Sequence, residues 1–302
     1  MSDSGGAGGS VFPSNWSSLL SFITSSRRNA NHNANHNTNH KKKISTTKSQ
    51  SAVDQAPLPS LYNSEADKDK LILLGNGMSQ PSRAVMWFLE VNRIPYEFRL
   101  VRIMKGQHLS DQYATINPMR KVPVIIDHGD VVFESHTILR YLSQKYNTPD
   151  HWYPRSDLLK RTRIDSYLDW HHLGFRKAVV AYIFAKSLGR PYDAKAVART
   201  AKEVQKAMDI LNDVWLMNGK KYLMGEEVSI ADLSCVCELM QLRMVDSDLG
   251  NRPQLQAYVE RMAAWPGFEK VHKLFFQFVK MKKLDDYYYQ HHDHDDIKKA
   301  KL

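Results

Sequence analysis

The sequence predicts a small α/β domain followed by a larger all-helical one, with a low-complexity segment at each end. Three observations carry this. Between residues 71 and 146, short apolar runs alternate with helical patterns in the order β-α-β-α-β-β-α. From about 156 to 284 the apolar spacing is helical throughout, with Gly- or Pro-containing breaks between stretches. Residues 1–69 and 285–302 carry too little apolar side chain to offset the entropy of ordering them. The expected divisions are therefore an extension at 1–69, an α/β domain at 70–148, a helical domain at 156–284 and a polar tail at 285–302. At 302 residues and 42% hydrophobic, the chain is long enough for two ordinary cores.

The extension is Gly/Ser-rich and then runs through an Asn/His repeat into Lys41-Lys42-Lys43. His32, His36 and His40 recur every four residues, but asparagine is a poor helix former and fixes no common face, so the tract reads as low complexity rather than a metal site. Leu71-Ile72-Leu73-Leu74 has the continuous apolar character of a strand buried on both faces. After Gly75-Asn76-Gly77, Pro81 opens a helix with Val85, Phe88 and Leu89 on one side. Residues 96–101 read as the next strand, 111–116 as a short helix or turn, and 122–126 and 131–133 as two strands joined at His128-Gly129-Asp130. A helix follows at 135–146. A linker with Pro149 and Pro154 leads to helical stretches at 158–185, 194–217, 229–245, 254–264 and 268–283. Ser229-Ile230-Ala231-Asp232 is a capping box for the third of these. The His/Asp cluster at 291–294 reads as part of a solvated tail.

Composition excludes several classes. The longest N-terminal apolar stretch, near Leu19-Leu20-Ser21-Phe22-Ile23-Thr24, falls far short of the ~18 residues of a spanning helix, so neither a membrane span nor a membrane partner is expected. Cys235 and Cys237 are two apart within a helical pattern and point to different sides, which argues against a disulfide-built fold. The net charge of +10 is spread among acidic residues, as a mixed solvated surface requires, and nucleic acid is not an expected partner.

Three local constellations carry chemistry. Ser79-Gln80-Pro81-Ser82-Arg83 puts hydroxyls at a helix N-terminus, where unpaired N–H groups favour an anion; Ser79 is either an ordinary cap or a donor to a bound anion. Glu134-Ser135 precedes the domain's last helix. Ser135 can cap it or offer O–H and N–H to a carboxylate, and Glu134 can accept from an ammonium group. Lys121-Val122-Pro123 opens a strand with a residue that cannot donate to the ladder; a cis peptide there would expose the Val122 backbone to a peptide-like ligand, with Lys121 near its carboxylate.

From residue 71 to about 283 the chain resembles the theta-class glutathione transferases, within them the plant-type members. The resemblance rests on Ser79-Gln80-Pro81-Ser82-Arg83-Ala84-Val85, Asn117-Pro118-Met119, Lys121-Val122-Pro123, Phe133-Glu134-Ser135-His136, Asp150-His151-Trp152-Tyr153-Pro154, Leu168-Asp169-Trp170-His171-His172 and Ser229-Ile230-Ala231-Asp232-Leu233, in that order over both domains. It implies the glutathione transferase fold, a thioredoxin-like N-terminal domain and an all-α C-terminal one, in a homodimer. Val122-Pro123 would carry the cis-proline. Ser79 falls on the catalytic serine that stabilises the glutathione thiolate, and residues 71–80 hold neither the Tyr nor the Cys of other classes. His108, Lys121, Val122, Glu134 and Ser135 fall on glutathione contacts, with Gln80 and Leu109 beside them. Arg176 falls on an active-site arginine, although Leu173-Gly174-Phe175 before it departs from the usual pattern. Glutathione is then co-substrate, with no bound cofactor or metal, for conjugation to electrophiles and reduction of organic hydroperoxides. The alternative is a non-catalytic glutathione-binding, hydrophobic-ligand or scaffold protein on the same fold.

Ala300-Lys301-Leu302 resembles a peroxisomal address and implies an import receptor as partner. Against it, residues 1–53 are Ser-rich with Asp3 as their one acid, mildly like an organelle transit segment. Peroxisome is the expectation; the alternatives are the cytoplasm or another organelle.

Overall fold

A computed structural model describes residues 61–187 and 193–291, with side chains described to Met281. The expected extension up to residue 60, with its His tract and transit-like character, and the terminal tripeptide lie outside the described residues. So does the break at Gly189-Arg190-Pro191.

Four strands form one mixed sheet in the order β2-β1-β3-β4: β1 Leu71–Gly75, β2 Glu97–Leu100, β3 Val124–Asp127 and β4 Asp130–Phe133. β1 and β2 are parallel, and the other neighbours antiparallel. β3 and β4 form a hairpin whose His128 and Gly129 take φ of 52° and 94°, left-handed values that a two-residue turn between twisted strands requires. Strand alternation divides the core. Leu71, Leu73 and Ile125 face the larger cluster; Ile72, Leu74, Val124 and Ile126 face a smaller one with Leu61, Val101 and Tyr113.

The helices are α1 Ser64–Asp67, α2 Gln80–Val91, α3 Asp111–Ala114, α4 Ser135–Lys145, α5 Leu158–Trp170, α6 Arg176–Ser187, α7 Ala194–Ile210, α8 Ile230–Gln241, α9 Pro253–Ala263 and α10 Phe268–His291. α2 and α4 lie in the larger cluster with the helical domain, so the two domains share one core. α8 is its axis, buried from Ile230 to Met240. The capping box forms as its spacing implies, the Asp232 carboxylate accepting from the Ser229 N–H at 2.7 Å. Both cysteines are free and buried.

The structure departs from the sequence reading at four places. Residues 61–69, nine residues of the expected extension, pack on the α/β domain, because Asp67 is buried and ion-paired with Arg99 of β2 at 2.6 Å. The linker is packed: Trp152 is buried edge-on against Phe88 at 5.5 Å between centroids. The stretches at 158–185 and 194–217 are each interrupted by a π-helical turn, His171–Phe175 and Leu211–Trp215. α10 continues past 284 to His291, since nothing in Leu284-Asp285-Asp286-Tyr287-Tyr288-Tyr289-Gln290 stops a helix.

Candidate functional site

Register gathers the expected site residues at one end of the sheet. Gly75 at the end of β1 pairs with Leu100 at the end of β2, and Leu74 pairs with Val124 at the start of β3, which pairs with Phe133 at the end of β4. The segments leaving that edge are 76–79, 101–109, 121–123 and 134–135, which carry Ser79, His108, Leu109, Lys121, Val122, Glu134 and Ser135.

Asn76 shapes the first of these. Its side chain donates to the Val101 carbonyl and accepts from the Met78 N–H, both at 2.9 Å, and its carbonyl accepts from the Ser79 N–H. Ser79 is the N-cap residue of α2, with φ −82° and ψ 118°, but its hydroxyl makes no capping hydrogen bond. It is half-buried at the positive end of a twelve-residue helix whose second residue, Pro81, has no N–H to offer. Ser82 is fully buried and its hydroxyl accepts from the Asn76 N–H at 3.3 Å. Gly75 suits this packing, because a Cβ there would stand 3.2 Å from the Ser82 Oγ and crowd it.

The Val122-Pro123 bond is cis. The Lys121 carbonyl accepts from the Tyr113 hydroxyl at 2.7 Å and from Asn117 Nδ2 at 2.9 Å, which leaves the Lys121 side chain outward and exposed. His108 is buried nearby. Burial, and then the Lys121 charge, hold its imidazole below the usual histidine range. Leu109 is exposed, its carbonyl taken by the Arg120 guanidinium.

Ser135 does not cap α4. The N-cap residue is Glu134, in the left-handed region at φ 69°, and Ser135 is the first helical residue. A non-glycine side chain held at positive φ is strained, a cost that persists chiefly at functional turns. Glu134 and Ser135 border an open cleft of about 340 Å³, lined also by Asp169 of α5 and by His172 and Leu173 of the π-helical turn. Ser79 lies outside that lining.

The remaining expected residues meet at the domain interface. Gln80 is buried, and its amide donates to the Glu238 carboxylate of α8 instead of facing the cleft. Arg176, at the start of α6, donates from Nη1 to the same oxygen at 3.2 Å. Arg83 is fully buried. It donates to the carbonyls of Gly77 and Met78 at 3.0 and 3.1 Å, to the Cys237 carbonyl at 3.2 Å and to Gln241 Oε1 at 2.6 Å, with its guanidinium over the Phe275 ring. Burial lowers it to about 10. Burial likewise pushes the Glu238 carboxyl up to about 7, against the pull of Arg176 and Arg83. Sequence reasoning did not place Glu238 or Arg83 at this interface. The signal for Glu238 was present: it is the one charged residue between Asp232 and Arg243 in an otherwise uncharged run.

Comparison with known proteins matches the chain to one family by sequence and by fold. Residues 73–150 match the glutathione S-transferase N-terminal domain and residues 167–266 the C-terminal domain. Glutathione S-transferase T1 of Arabidopsis thaliana is 40% identical over 221 residues, which cover 69% of this chain and 90% of that one. The crystal structure of human glutathione transferase theta-2 in complex with glutathione and an unknown ligand aligns with a TM-score of 0.66. It is 34% identical over 71% of this chain and 91% of its own. A human theta-class enzyme in complex with the glutathione conjugate of 1-menaphthyl sulfate aligns with the same TM-score, 36% identical over 72% and 91%.

Proposed function

The chain belongs to the theta-class glutathione S-transferases, and from that membership we propose that the Ser79 hydroxyl activates the glutathione thiol for conjugation to electrophiles and for reduction of organic hydroperoxides. Glutathione is the co-substrate. The observation that carries the serine assignment is a hydroxyl at the N-terminus of α2 that accepts no capping bond and donates to no described residue, so both its oxygen and its proton are open to a ligand and the proton can go to an anion.

The dimensions support the pose. β1 and β4 are two strand spacings apart, about 10 Å, and an extended three-unit peptide such as glutathione spans about the same distance. With the sulfur at Ser79, the γ-glutamyl end reaches Glu134, whose carboxylate accepts from the ammonium, and Ser135, which donates to the carboxylate from the first turn of α4. Val122 meets the cysteinyl backbone as a strand edge would, and His108 and Lys121 serve the glycyl carboxylate.

A free thiol with pKa near 8.5 is about 3% thiolate at pH 7. Lowering it by two units requires about 2.7 kcal/mol of preference for the anion. A hydroxyl hydrogen bond to a charged acceptor supplies about 1.5–3 kcal/mol, and the end of α2 adds about 0.3–1. The thiolate then attacks an electrophilic carbon and displaces its leaving group. With a hydroperoxide it attacks the O–O bond, forming glutathione sulfenic acid and an alkoxide that takes a proton. A second glutathione condenses with the sulfenic acid to give the disulfide and water.

The test is turnover of 1-menaphthyl sulfate and of cumene hydroperoxide with glutathione at pH 7, for wild type and Ser79→Ala. Loss of one charge-assisted bond predicts a fall in kcat of about tenfold to hundredfold with glutathione still bound. Undiminished kcat would move the thiolate donor elsewhere. A wild type that binds glutathione and turns over neither substrate would favour a non-catalytic binding protein. The proposal includes a homodimer: Leu158, Leu159 and Leu173 are 65%, 60% and 73% exposed, and a second copy would cover them. A monomer by sedimentation would remove that part alone.

A further inference from the structure

Ser79 and Arg176 come from different domains, and one group touches both halves. Glu238 Oε2 accepts from Gln80, the residue after Ser79, and from Arg176 Nη1 at 3.2 Å. We propose that Glu238 is a positioning residue for the reaction, holding the Arg176 guanidinium and the first residue of α2 on one shared carboxylate oxygen. The inference rests on the assignment of Ser79 and Arg176 to one site.

Stability does not explain this carboxylate. It is fully buried on a helix otherwise packed with Leu233, Val236, Leu239 and Met240. Replacing a buried ion pair by apolar side chains of similar volume is often neutral or stabilising. Its other oxygen, Oε1, has no hydrogen-bond partner, and neither has His171 Nε2, while 3.7 Å separates that nitrogen from Glu238 Oε2. A polar atom left unmatched in a core calls for an explanation beyond packing.

The backbone beside Arg176 points the same way. The π-helical turn His171–Phe175 ends directly before it. One such turn rotates every later side chain relative to the α-helical path and occurs preferentially at functional sites. Gly174 lies against the Trp170 indole, whose nitrogen would stand 3.2 Å from a Cβ there. The turn delivers Arg176 to Glu238 with the side chain still 30% exposed, so the guanidinium is paired through Nη1 while part of the side chain stays accessible. Fixing that fork in advance is what an accessible arginine needs in order to meet a developing anion without reorganising.

The experiment is a double-mutant cycle on the full chain with Glu238→Gln and Arg176→Ala, using 1-menaphthyl sulfate and cumene hydroperoxide. Glutamine keeps the shape and an acceptor oxygen but not the charge. Glu238→Gln alone is expected to lower kcat about tenfold with the glutathione KM within about threefold. In the Arg176→Ala background it should change kcat less than about twofold. Equal losses in both backgrounds, or an unchanged kcat in Glu238→Gln, would overturn the proposal. Should Glu238→Gln fail to fold by circular dichroism, Arg176→Lys decides. An ammonium cannot reproduce the fork, so kcat should fall, and a wild-type kcat would overturn the idea. Ser79→Ala run alongside separates the premises: turnover persisting there removes the serine assignment while the cycle still decides Glu238. A wild type that turns over neither probe overturns both together.

Discussion

Glu238 and the buried histidines carry opposite pH dependences. Burial raises the Glu238 carboxyl to about 7 from an ordinary 4.5, so the folded chain holds its proton more tightly than the unfolded chain. Its contribution is greatest below pH 4.5 and is lost as pH rises through 7. His171 and His272 are held neutral by burial, at about 3. Their contribution is present above the ordinary 6.5 and is lost as pH falls toward 3. The difference between wild type and Glu238→Gln isolates the first effect. The melting temperature of wild type minus that of the variant should be larger at pH 5 than at pH 8 by scanning calorimetry. A difference independent of pH would mean that Glu238 does not titrate in this range. Ser79 and Glu134-Ser135 were legible in the sequence because hydroxyls and acids stand out at the start of an apolar helical pattern. Which hydroxyl caps was not, because that depends on backbone angles: φ 69° at Glu134 moves the cap one residue upstream of Ser135.

At the level of elements, the segment from Leu61 to Lys70 is held by side chains far away in sequence. Arg99 Nη1 and Nη2 donate to the two oxygens of Asp67 at 2.7 and 2.6 Å, and Nη1 also reaches the Leu61 carbonyl at 2.9 Å. The guanidinium lowers the Asp67 carboxyl well below the usual range. Arg99→Ala would leave that carboxylate buried with the Asn63 N–H and the half-exposed Lys70 as its remaining partners. Removing one partner of a buried pair costs about 3–5 kcal/mol, and the part exposure of Arg99 puts this case near the lower end. Urea unfolding should show a lower midpoint at unchanged slope, and trypsin should cut the native variant at Lys68 and Lys70. Resistance at those sites would mean that the apolar contacts of Leu61 hold the segment without the pair. This attachment was invisible in the sequence for a physical reason: local composition there is polar, and the order comes from a partner 32 residues on. β1, β3 and β4 were visible because each holds a short apolar run, whereas β2 alternates charged and apolar residues. The π-helical turns were not, since one extra residue hardly disturbs a helical apolar pattern.

The whole molecule behaves as one unit if its core does. The larger cluster joins β1, α2 and α4 to the helical domain, and Trp87 is the clearest link. It is fully buried, its indole N–H donates to the Pro266 carbonyl at 2.7 Å, and its ring meets Phe268 and His272 edge-on. Gly267, at φ 83°, closes against it, and a Cβ there would stand 3.0 Å from the indole. The expected division at residues 149–155 is therefore not a mechanical boundary. Separate domains would open separately, whereas a shared core makes the sheet and α8 lose protection together. Amide exchange of β1 and β3 should then report the same opening free energy as α8. Trp87→Ala, which creates a large cavity and orphans a carbonyl, should lower both by about 3–5 kcal/mol. Were β1 and β3 to weaken while α8 kept its wild-type protection, the α/β domain would be folding on its own. The site, with Ser79 on one side and Glu238 and Arg176 on the other, would then lose its geometry by domain separation before either domain unfolds.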